Sequence, residues 1–148
     1  MEIKKINEKE SGQSLIEFAF SFVIIMLLIV GAVELGRLYF SYIAIYDAAQ
    51  EGALFGAHYP GDTTAIINHV RGTSTNPIDL TDIGLVDVKV YHFDTHTGNA
   101  FPCAGDGLEV KVTYTFDFTM PFIGAFIPSN QIPLSASVIS TVLSPTCN

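Results

Sequence analysis

From Leu15 to Val33 the chain runs nineteen residues whose only polar side chains are Glu17 and Ser21, and from Phe18 to Val33 it carries no charge. As a helix that run spans roughly 28 Å, close to a hydrocarbon core of about 30 Å. The reading is one transmembrane helix. A secretory signal peptide is the competing reading, with Lys4, Lys5 and Lys9 as its basic region and Val30-Gly31-Ala32 as a small-residue cut site. The run exceeds the ~7–15 apolar residues such peptides use, and helical patterning continues through Val33 to Ala57, so the span is expected to stay in the chain. Three lysines precede it, while only Arg37 follows within twenty residues. Lys and Arg near the ends of a span set its orientation, so the N-terminus is expected in the cytoplasm and the remainder outside.

Only 15% of the residues are charged, against about 25% in soluble domains, which argues against disorder and fits a chain partly in lipid. A net charge of −8 lacks the clustered Lys and Arg that bind phosphates, which excludes nucleic acid as a partner. Between Arg37 and Asp117 four cations face ten carboxylates, an acidic surface that keeps a head soluble and names no substrate. The chain contains no HExxH, GxSxG, Walker A, CxxC or paired zinc-ligand spacing. No catalytic residue, metal or cofactor is therefore expected, and the protein is not read as an enzyme. His92 and His96 flank Asp94, and they read as solvated hairpin residues rather than metal ligands.

Glu17 is the anomaly. It lies two residues inside the apolar run, where an unpaired charge costs a few kcal/mol, and such a residue is by default functional with a partner to be named. The plainer reading is a side chain that snorkels to the nearby interface. The segment reads Gly12-Gln13-Ser14-Leu15-Ile16-Glu17-Phe18, a glycine followed five residues later by a glutamate that opens an apolar helix. This resembles the processing site of type IV-like prepilins. The resemblance implies cleavage after Gly12 by a membrane-embedded prepilin peptidase, leaving Gln13 as the first residue and Glu17 as the fifth. The α-amine freed at Gln13 would be a cation at the end of the helix. Glu17 of one subunit would then pair with that amine on its neighbour, offsetting the cost of burial and setting the register of packed helices.

The likeness extends through residues 12–55. Gly12, the Glu17-Phe18 pair, the apolar span, Glu34-Leu35-Gly36-Arg37 and the small-residue block Ala48-Ala49-Gln50-Glu51-Gly52-Ala53 resemble the N-terminal signature of the TadE-like family. These are minor pilins or pseudopilins of the tight-adherence (Flp) pilus system. The family usually carries arginines in that last block, where this chain has Gln50 and Leu54. What the resemblance implies is a single-pass protein of the bacterial inner membrane that supports pilus assembly, its partners being other pilins or pseudopilins, the assembly platform, the prepilin peptidase and membrane lipid.

Beyond Val33 the pattern turns amphipathic. Leu35, Leu38, Tyr42, Ile45, Ala49, Gly52 and Gly56 recur at three- and four-residue steps, as one helix face requires. Glu34 and Arg37, three apart, are expected to pair at the membrane surface. Alanine and glycine dominate Ala44–Ala57, so this stretch is expected to carry something flat, such as a sheet. Tyr59-Pro60-Gly61 ends the stem. Asp62 is then an N-cap for a short helix with Ile66, Ile67 and Val70 on one face, and Thr73–Asp82 reads as a polar loop.

Three alternating runs follow, around Val86–Val90, Leu108–Phe118 and Leu134–Val142, and period two means half-buried antiparallel strands. Pro121, Pro128 and Pro133 restrict 120–133 to a loop. Its Phe122, Ile123, Phe126 and Ile127 either fold back over the core or form a contact surface for a partner. Cys103 and Cys147 are the only cysteines. In an oxidising compartment they are expected to form a disulfide that closes a loop of about 44 residues.

The fold class expected is α+β and pilin-like, a long helix on an antiparallel sheet of three to four strands. It divides into a cytoplasmic leader (1–12), a transmembrane and stem helix (13–58) and an extracytoplasmic head (59–148). The alternative reading is a membrane-anchored module whose head binds an extracytoplasmic ligand, with the helix as a plain tether.

Overall fold

The first proline is Pro60, so nothing interrupts the backbone ladder before it, and helix α1 runs unbroken from Lys9 to His58 over 50 residues. At 1.5 Å per residue it is a rod of about 75 Å. The computed structural model describes residues 9–93, 102–120 and 127–144. Tyr59 N–H donates to the Phe55 carbonyl at 3.1 Å, and Pro60-Gly61 then turns the chain. Asp62 caps α2 (Thr63–Gly72) by accepting from Ala65 N–H at 2.8 Å. It thereby satisfies one of the free donors of the first turn.

Strands β1 (Val86–Phe93), β2 (Gly107–Asp117) and β3 (Gln131–Thr141) form one antiparallel sheet in the order β1-β2-β3. This is the expected α+β arrangement. Both helices lie on one face of the sheet. Val86, Val88, Leu108, Val110, Val112 and Ala136 point inward toward Ile45, Ala49 and Ala53 of α1 and Ile66 and Val70 of α2. Fully burying one such Val, Leu or Ile contributes about 1.5–3 kcal/mol, so this layer is where the stability of the head resides.

Three details differ from the sequence reading. First, the buried stripe of α1 begins at Glu34 and Ser41, each 6% exposed, while Leu35 and Tyr42 are 67% and 43% exposed. Glu34 goes inside because Arg37 on the same helix and the Thr119 amide of the head meet its carboxylate. Second, Thr73–Asp82 is not simply a polar loop, because Ile78 and Leu80 are buried in the core. Arg71 fixes this segment by donating to the carbonyls of Leu80 at 3.1 Å and Val86 at 3.3 Å. Third, Pro133 lies inside β3, opposite Thr115. Since β3 is an edge strand, a residue without an N–H is tolerated there.

The small residues of α1 set how closely the layers meet. A Cβ added at Gly52 would lie 2.3 Å from Val70 Cγ2 and 3.2 Å from Val110 Cγ1, and one at Gly56 would lie 2.9 Å from Leu108 Cδ2. Alanine improves helix propensity by about 1 kcal/mol, but overpacking costs about 1–3 kcal/mol. Gly52→Ala is therefore expected to give a net loss of about 1 kcal/mol. Gly72→Ala, where an added Cβ meets nothing within 4 Å, is expected to lose nothing. Calorimetric unfolding of the two variants in detergent checks the contrast.

Candidate functional site

The sequence-predicted residues fall into two groups along α1. The lower group sits on its first turns. Gly12 is exposed, and a Cβ added there would meet nothing within 4 Å. Gln13 and Glu17 are exposed, with Gln13 Nε2 donating to Glu17 Oε1 at 3.4 Å. Phe18 stacks on Phe22 with ring centres 6.2 Å apart. Every residue from Gly12 to Val30 is exposed. An apolar surface of that extent has no stable place in water and calls for lipid or other helices.

The upper group lies where the rod meets the head. Arg37 Nη1 stands 3.0 Å from both Glu34 carboxylate oxygens, as the i,i+3 spacing allows. The sequence offered no sign of what completes this pair. Thr119 N–H donates to Glu34 Oε1 at 2.8 Å, and Arg37 Nη1 also donates to Thr119 Oγ1. The Arg37 guanidinium lies over the Phe116 ring, 5.3 Å from its centre, in the geometry of a cation–π contact. Four groups thus tie the stem to the far end of β2. Tyr114 stands beside them, its pKa raised by burial and by the nearby Asp117 carboxylate, with Arg37 opposing.

The model of the TadE-like protein family matches residues 12–54. Over this segment the chain is similar to TadE-like proteins. Gly12, Gln13, Glu17, Phe18, Glu34 and Arg37 all lie within the match, and the sheet lies beyond it. No curated protein and no solved structure matches the chain. A TadE-like segment on one long apolar N-terminal helix fits a membrane protein associated with a Tad pilus, and the family is not one of enzymes.

The remaining sequence-predicted residues are separate from the TadE-like segment. Cys103 is buried, while Cys147 lies outside the described residues. Ile127 is half-buried before a short 3-10 turn, Pro128–Asn130, and Phe122, Ile123 and Phe126 also lie outside the described residues. His92 Nε2 is 2.9 Å from the Pro60 carbonyl, a bond that joins β1 to the turn after α1; Asp94 and His96 lie outside the described residues. Asp106, counted above with the acidic surface, is fully buried and accepts from Cys103 N–H at 2.7 Å. Among the described residues no group of three His, Cys, Asp or Glu side chains could hold a metal ion.

Removing the Glu34 carboxylate leaves Thr119 N–H without its acceptor. Arg37 is about half exposed and regains water, so the loss is dominated by the bonds to Glu34. Glu34→Ala is expected to cost about 2 kcal/mol, the scale of hydrogen bonds to a charged group, and Glu34→Gln less. Chemical denaturation in detergent checks the order.

Proposed function

We propose that the protein is a bitopic minor pilin or pseudopilin of a Tad/Flp-type pilus. In this reading residues 1–12 are a cytoplasmic leader, 13–58 the membrane and stem helix, and 59–148 an extracytoplasmic head. A prepilin peptidase cuts after Gly12. Glu17 then exchanges its contact with the Gln13 side chain for the freed α-amine of a neighbouring subunit. Phe18 packs beside it, and the two set the register between helices. Glu34 and Arg37 hold the head at the membrane surface, and other pilins and the assembly platform meet the head, with Phe122, Ile123, Phe126 and Ile127 as a contact surface.

The observation that carries the reading is a lone carboxylate, Glu17, five residues after Gly12 in an exposed apolar helix that matches the TadE-like family. Supporting a bridge from Cys103 to Cys147, the loop after Cys103 is paired to the end of β3. Gly105 N–H donates to the Val142 carbonyl and Val142 N–H to the Asp106 carbonyl, both at 2.9 Å. Cys147 is five residues further on, within reach of Cys103.

Intact mass of the membrane-extracted protein tests the proposal. A chain that starts at Gln13 is expected, and one that starts at Met1 removes the processing step. The same sample, alkylated before and after reduction, reads the bridge: thiols that react without reduction remove it. Glu17→Ala is expected to insert normally yet abolish or strongly reduce piliation. Normal pili in that variant would contradict the register role.

A further inference from the structure

Thr119 is held level with Glu34 by its N–H, and the next residue turns toward the apolar part of the rod. The Met120 side chain lies over Gly31, its Cε 3.8 Å from where a Cβ would stand. With Phe22, Val23, Met26, Leu27 and Val30 it borders a groove of about 200 Å³. Phe22, the lowest residue of the groove, is twelve residues below Glu34, so the groove reaches about 18 Å along α1 from the point where the head is clamped. Every side chain on it is apolar.

The sequence from Met120 onward has the same character. Met120 to Pro128 reads MPFIGAFIP, with no hydrogen-bonding side chain. Its two prolines also carry no backbone N–H, which reduces the number of donors left without partners in lipid.

We infer that the head grips the bilayer at a second point, where Met120 and the groove beside it on α1 take the acyl chains of the leaflet on the head's side. This rests on the reading of α1 as a membrane span. The head is then held against the membrane by both the Glu34 clamp and an apolar seat, which fixes its tilt on the rod.

The chain has three methionines, Met1, Met26 and Met120, and no tryptophan. Full-length protein carrying photo-methionine, reconstituted in vesicles of phosphatidylethanolamine and phosphatidylglycerol, separates the two claims. Lipid adducts at both 26 and 120 are expected. Adducts at 26 without lipid at 120, or a crosslink from 120 to a second copy, overturn the inference and leave the span standing. No lipid at 26 overturns the span and the inference together. M120W gives an independent readout. Quenching by acyl-brominated lipid several-fold stronger than by aqueous acrylamide is expected, and the reverse order overturns the inference.

Discussion

The structure depends on a carboxylate held at a boundary. Below Glu34 the rod is apolar and, apart from Met120 over Gly31, uncovered by the described residues, and above it the same rod is the floor of a folded head. Glu34 is buried although it is charged, and that is tolerable only because Arg37 and the Thr119 amide meet it. The contact joins residues 85 apart in sequence, so it closes the head onto the stem at the level where the surroundings change. Had a leucine occupied this position, the end of β2 would have lost both an anchor and a defined height on the rod.

Above the clamp the packing follows from side-chain size. Ala48, Ala49, Gly52, Ala53 and Gly56 present almost no relief, so the sheet and α2 press directly on the backbone of α1. Leu108, Val110 and Val112 fill the space that larger helix residues would have taken. The result is that a 50-residue helix, far longer than an ordinary globular one, is stabilised over its upper part by the head and left for lipid or neighbouring helices over its lower part.

Much of this was legible in local pattern. The apolar run, the Pro60 stop, the Asp62 cap and the period-two strands each depend on near neighbours, and near neighbours are what a sequence displays. The flat burden on the Ala and Gly face was also readable, since small residues in a row have few other uses. The inward turn of Glu34 and Ser41 was not, because hydropathy favours Leu35 and Tyr42 at those steps; for Glu34 the deciding partner outside the helix, Thr119, lies just past β2, 85 residues along the chain. Ile78 and Leu80 were hidden for a related reason, lying among polar residues in a segment that Arg71 draws onto the core. For the candidate site, the Glu34–Arg37 spacing was visible, whereas Thr119, Phe116 and Met120 carried no local signal.

The central claim is a single continuous rod, lipid-covered below Glu34 and head-covered above it. Amide hydrogen exchange along α1 in lipid nanodiscs tests it most directly. Slow exchange from Leu15 through Ala57, with no break between Gly31 and Arg37, is the predicted result. A fast-exchanging hinge in that interval, with protection on either side, would contradict it.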